Sequence, residues 1–124
     1  MQLTPFHLAI QVRDINEARD FYGNKMGLPE GRSSTDWIDF NLFGHQLVTH
    51  VNPQLGKEGK IASIANGVDG HGVPVPHFGV VLNFDDWEAL AETVTEFVDD
   101  FIIEPYIRFK GQHGEQGTMF FSDP

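Results

Sequence analysis

Cysteine is missing from this 124-residue sequence, which excludes disulfides and thiolate metal sites and suits a reducing compartment. Positive charge is scarce, with 8 Lys and Arg against 18 Asp and Glu and a formal net charge of −10. Nucleic acids and anionic membrane surfaces would repel such a chain, so neither is an expected partner. No apolar run approaches the roughly 18 residues that a membrane helix needs. The N-terminus shows no basic stretch followed by an apolar one, so no secretory signal is read there. The expectation is a cytoplasmic protein. Tyrosine is also rare, 2 residues against 11 Phe, which points to a phenylalanine-rich interior.

What is present fits one globular domain. Apolar residues make up 40% and charged residues 21%, too apolar a balance for disorder. The chain is long enough to bury a core. Its most informative feature is an internal repeat. Pro5-Phe6-His7-Leu8-Ala9-Ile10-Gln11-Val12 is written again as Pro76-His77-Phe78-Gly79-Val80-Val81-Leu82-Asn83. Each copy is a proline, a histidine and an apolar strand, followed by a helix signal.

In the first copy, the two-residue period of a strand sorts His7, Ala9 and Gln11 onto one face. Phe6, Leu8, Ile10 and Val12 fall on the other, which is uniformly apolar and should meet a helix layer. Asp14 and Glu17 have capping-box spacing. Ile15, Ala18, Phe21 and Tyr22 form the helical stripe, with Gly27 as the C-cap. Strands are expected over 37–43 and 46–51, with Gly44-His45 as the hairpin turn. Residues 53–75, rich in glycine and proline, read as a crossover with a short helical turn at 61–65. That crossover is either a plain linker or a cover for a pocket mouth.

In the second copy, His77, Gly79 and Val81 mirror His7, Ala9 and Gln11. Asp85 and Glu88 repeat the capping-box spacing, and Trp87, Leu90, Ala91, Val94 and Phe97 form the stripe. Strands are expected over 104–109 and 117–121, joined by a polar segment at 110–115. The organisation is thus module one (1–52), crossover (53–75) and module two (76–124), within a single domain spanning 1–124. By analogy with the first module, the second is one strand short, which would leave an unpaired sheet edge.

These residues resemble the vicinal oxygen chelate superfamily, the group of glyoxalase I, extradiol dioxygenases and bleomycin-resistance proteins. The carriers are Phe6 to Val12 with the helix from Asp14 to Tyr22, the copy at Pro76 to Leu82, and Gly117-Thr118-Met119-Phe120-Phe121-Ser122-Asp123-Pro124. The sequence is most similar to small dioxygenase-like members. The resemblance implies an α+β fold of two tandem βαβββ modules whose mixed sheets curve into a cup around one divalent metal. It also implies ligands at His7 and His77, with a third, a glutamate, on a strand beyond Pro124. Fe²⁺ is favoured, since two histidines and one carboxylate form a recognised iron(II) triad. Mn²⁺, Zn²⁺ and Ni²⁺ are the alternatives. The position in module one equivalent to the glutamate falls near Val48, which cannot ligate. That matches a three-ligand dioxygenase pattern better than the four-ligand pattern of glyoxalase I.

Each histidine has a bland reading beside the functional one. A lone strand histidine is usually structural; two at matching repeat positions favour a metal. His45 and His71 read as solvent-facing, in a turn and a loop. Gln46 and His50 share the face of Val48 and are candidate pocket residues. Arg108 reads either as a bidentate partner for a substrate carboxylate or as half of a rim salt bridge. Of Phe120 and Phe121, one should line the pocket and one the core. His113, between glycine-flanked turns, is a candidate acid or base on a lid.

The function expected is that of a metal-dependent, dioxygenase-type enzyme acting on a small oxygen-chelating substrate. The alternatives are a glyoxalase-like lyase or isomerase, a metal-free small-molecule (drug) binding protein, or a structural dimer with a vestigial cup. A homodimer is the assembly the resemblance implies.

Overall fold

Leu8, Ile10 and Val12 turn one way and His7, Ala9 and Gln11 the other, and a four-stranded sheet is built on that division. A computed structural model describes every residue except Asp69. The chain forms two compact units, 1–61 with Pro124, and 62–123. The architecture is α+β in two modules.

In the first unit, β1 (His7–Val12) pairs in parallel with β4 (His45–Val51), from His7 opposite Gln46 to Val12 opposite Val51. Antiparallel β3 (Trp37–Leu42) and β2 (Glu30–Ser33) complete the order β1-β4-β3-β2. The parallel pairing needs a crossover, and the helix following Asp14 opens it. The side chain of Asp14 accepts a hydrogen bond from the Glu17 amide at 2.8 Å. Only half of the expected capping box forms, because the Glu17 carboxylate turns to Arg13 at 2.7 and 3.0 Å. The helix is also not uniformly α. After α1 (Ile15–Ala18), residues Arg19–Lys25 are π-helical, shown by the i→i+5 bond from the Met26 amide to the Phe21 carbonyl. Gly23 and Asn24 are weak α-helix formers. The wider turn lets the consecutive rings of Phe21 and Tyr22 both reach the core, 5.0 Å apart edge-to-face. Tyr22 meets Phe40, with centroids 5.6 Å apart, and Ile38, Phe40, Leu47 and Thr49 are all essentially inaccessible. The buried Thr49 hydroxyl donates to the Ile38 carbonyl.

The β3–β4 turn is Phe43-Gly44 rather than Gly44-His45. Both residues have positive φ, 52° and 92°, as a tight primed hairpin turn requires. His45 therefore opens β4 instead of sitting in the turn, and its Nδ1 accepts the Phe6 amide proton at 2.8 Å.

The second unit departs further from expectation. Residues 53–75 do not form a linker with a helical turn at 61–65. They hold a short 3₁₀ turn (Pro53–Leu55) and a β-hairpin of β5 (Ile64–Val68) and β6 (His71–Val75). Residues 77–82, the second copy of the repeat, are not in a strand. In the first unit, β1 is a strand because β4 pairs with it; among the described residues, 77–82 has no equivalent partner. Helix α2 (Phe84–Thr95) is capped by Asn83, whose side chain accepts from the Asp86 amide at 2.9 Å. The cap thus lies before Asp85, and Asn83 and Asp86 take the roles expected of Asp85 and Glu88. The expected stripe is otherwise correct, with Ala91 and Val94 buried at its centre.

Antiparallel β7 (Ile103–Arg108) and β8 (Gln116–Phe120) pair Tyr106 with Thr118 and Ile103 with Phe120. A side chain at 117 would strike α2, since an added Cβ would lie 2.6 Å from the Trp87 indole. Gly117 therefore marks the helix side of β8, and strand alternation sends Gln116, Thr118 and Phe120 to the opposite face. A register shift between Ile103 and Tyr106 changes the parity of β7. It brings Ile103, Tyr106 and Arg108 to one face.

Candidate functional site

The sequence-predicted residues fall into two groups, one in each unit. In the first unit, sheet pairing arranges the polar face in rows: His7, Gln46 and Asn41; Ala9, Val48 and Asp39; Gln11, His50 and Trp37. His7, Gln46 and His50 thus share one face, and all three are exposed. His7 Nδ1 lies 2.6 Å from Gln46 Oε1. An amide oxygen only accepts, so in this contact Nδ1 is the donor. Gln11 is held in turn by Asn52, which donates to its side-chain oxygen at 2.7 Å.

His77, in the second unit, repeats this state with a different acceptor. Its Nδ1 lies 2.6 Å from the Pro74 carbonyl oxygen, so again Nδ1 donates. Its ring packs edge-on against Phe120 at 5.1 Å. Both belong to the wall of a cleft of about 200 Å³. The polar part of this wall is His71, Tyr106, Arg108, Thr118 and His77; the apolar part is Val68, Val73, Ile103 and Phe120. Of the sequence-predicted residues, His77, Arg108 and Phe120 are brought together here. Phe121, half-buried, packs instead on Phe101, with ring centroids 6.2 Å apart. Arg108 also lies over the Phe109 ring, 5.1 Å from its centroid.

His113 is not in this wall. It is exposed in the β7–β8 connection, where Gly111 and Gly114 take positive φ.

His71, Tyr106 and Thr118 are cleft residues that sequence reasoning missed. His71 was read as a loop residue, whereas it begins β6, 5.7 Å from the Tyr106 ring. In the sequence, the hairpin dipeptide Asp69-Gly70 stands between two short segments that carry Ile64 and Val68, and Val73 and Val75. Tyr106 shares the period-two parity of Arg108 and could have been found from it.

Among the described residues, no three His, Cys, Asp or Glu side chains converge as a metal site would need. The described residues thus supply two imidazoles that donate through Nδ1 and no complete metal donor set.

The model of the glyoxalase/bleomycin resistance protein/dioxygenase superfamily matches residues 4–124. The chain belongs to this superfamily. A solved glyoxalase/bleomycin resistance protein/dioxygenase from Alicyclobacillus acidocaldarius is 30% identical. The match covers 97% of this chain and 83% of that one, with a TM-score of 0.70. The structure of SMU.1112c shares the fold at 16% identity and a TM-score of 0.57, covering 99% of this chain and 94% of that one. No curated protein matches. Members of the superfamily commonly bind divalent metals and small molecules. No helix among the described residues is long and apolar enough to cross a membrane.

Proposed function

We propose that this protein is a metal-dependent enzyme of dioxygenase type, acting on a small substrate that presents two adjacent oxygens. His7 and His77 bind the metal through Nε2, with Fe²⁺ favoured over Mn²⁺, Zn²⁺ or Ni²⁺. One observation carries this reading: both repeat histidines hold their Nδ1 proton on an oxygen acceptor at 2.6 Å. Ligating histidines characteristically donate their other ring N–H in this way, which fixes the ring and raises its basicity. A bound metal would supply Lewis acidity and a template for the two substrate oxygens. No cluster of described residues supplies the carboxylate of a 2-His-1-carboxylate triad. Gln46 and Pro74 are the positioning groups, and His50 shares the face of His7. A homodimer in the cytoplasm belongs to the same reading, since partner contacts would cover unpaired strand edges.

The test is the metal content of the full chain after anaerobic loading with Fe²⁺, compared with His7→Ala and His77→Ala. Each substitution should abolish most of the bound metal. Retention of wild-type metal by both variants removes the proposal.

The cleft of the second unit favours a second reading, small-molecule binding without metal. Its wall is a mixed apolar and polar surface with convergent side chains, the usual make-up of a ligand site. Ligand binding that survives both histidine substitutions and exhaustive chelation would select this reading.

A further inference from the structure

Asparagine precedes glycine once in this chain, at Asn66-Gly67; Asn16, Asn24, Asn41, Asn52 and Asn83 precede Glu, Lys, Leu, Pro and Phe. The dipeptide matters because an asparagine side chain can be attacked by the amide nitrogen of the next residue. A Cβ on that residue obstructs the approach, and glycine has none. Sheet structure ordinarily suppresses the reaction by holding the backbone extended. In β5 that restraint is weak. All five of its residues are exposed, and among the described residues it pairs with β6 alone, in a two-stranded sheet. An isolated hairpin of this kind is marginally stable. The rung next to Asn66 joins Gly67 to Gly72, and a Cβ built at either would meet nothing within 4 Å. No side-chain pair holds that rung closed.

We propose that Asn66 is a site of spontaneous deamidation, opened to attack by the unrestrained Gly67–Gly72 rung. The Gly67 amide nitrogen loses its proton and bonds to Asn66 Cγ. The Cγ–Nδ2 bond breaks, that nitrogen leaves as ammonia, and a five-membered succinimide remains. Water then opens the ring on one of two sides. Cleavage of the new N–Cγ bond gives aspartate on an unchanged backbone. Cleavage of the original peptide bond gives isoaspartate, whose chain runs through Cγ and is one carbon longer. The position gives the change a consequence for the cleft of the second unit. Asn66 is the register partner of Val73, and alternation puts it on the face of Val68. Val68, Val73 and His71, the partner of Val68, all belong to the cleft wall. Among the described residues that wall contains no Asp or Glu. Aspartate at 66 brings a negative charge to its flank, and isoaspartate also displaces the β5–β6 register that sets His71.

The experiment ages the full chain at neutral pH and follows each asparagine by peptide mapping, with fragmentation that separates aspartate from isoaspartate. Residue 66 should convert to both products, its mass changing by NH exchanged for O, while the other five asparagines stay intact. Gly67→Ala should abolish the conversion over the same period. Gly72→Ala keeps the Asn-Gly dipeptide and stiffens only the facing strand. It should slow conversion by about two- to fivefold, the effect of one strand glycine on local opening. Three results overturn the proposal. One is an Asn66 that converts in urea but stays intact in the folded chain, since the strand then protects it. Another is a second asparagine that converts as fast. The third is a rate left unchanged by either glycine substitution.

Discussion

His7 and Gln46 are register partners on parallel strands, and their side chains meet at 2.6 Å across the polar face of the first sheet. The contact is made by pairing, since no other register of β1 on β4 would set a glutamine beside that ring. It uses Nδ1 as the donor, the kind of bond that orients the ring of a ligating histidine.

Under the proposed function, Gln46→Leu should weaken metal affinity by about 10- to 100-fold, the usual effect of losing such an outer partner. Stability should change by less than about 0.5 kcal/mol, because residue 46 is exposed. Metal titration and urea unfolding of the same variant separate the two effects. Unchanged affinity would show that Gln46 does not orient His7.

His113 lies in an exposed turn outside the cleft wall. Replacing it with alanine should therefore leave metal content and cleft-ligand affinity at wild-type values. Turnover lost at unchanged affinity would instead support an acid–base role on a lid.

Trp87 fixes residue 117 as glycine, since a Cβ there would fall 2.6 Å from the indole. Gly117→Ala should cost about 1–3 kcal/mol, as overpacking of a closed contact does. The urea midpoint should drop with little change in slope. A stability equal to wild type would mean that the helix shifts freely over β8.

The caps of α2 separate in the same assay. Asn83→Ala loses the bond from the Asp86 amide and should cost about 1 kcal/mol or more. Asp85→Ala removes only a first-turn charge, which salt screens, and should cost less than about 0.5 kcal/mol in physiological salt. Thermal midpoints in the reverse order would return the cap to Asp85.

Local patterns were readable wherever a single element decided them. The alternation from Phe6 to Val12, the Asp14 cap and the stripe of α2 follow from periodicity and side-chain chemistry, as do the strands expected over 104–109 and 117–121, which lie one residue earlier at 103–108 and 116–120. The repeat and its ending were enough to identify the superfamily. Reading failed where a neighbour decides. The 77–82 segment has the composition of a strand, but a strand exists only when another pairs with it. The π-helical turn depends on where Phe21 and Tyr22 must pack, which their own propensities do not state. His71 reads as a loop residue until the pairing of β5 with β6 makes it part of a strand.

The sequence by itself singled out His7 and His77, because the repeat puts a histidine near the start of both copies. Tertiary structure decided what those histidines are attached to. Gln46 reaches His7 through strand register, Pro74 reaches His77 through a local turn, and a register shift in β7 turns Tyr106 and Arg108 into one cleft. Periodicity reports which face a residue occupies; only the folded neighbours decide what that face meets.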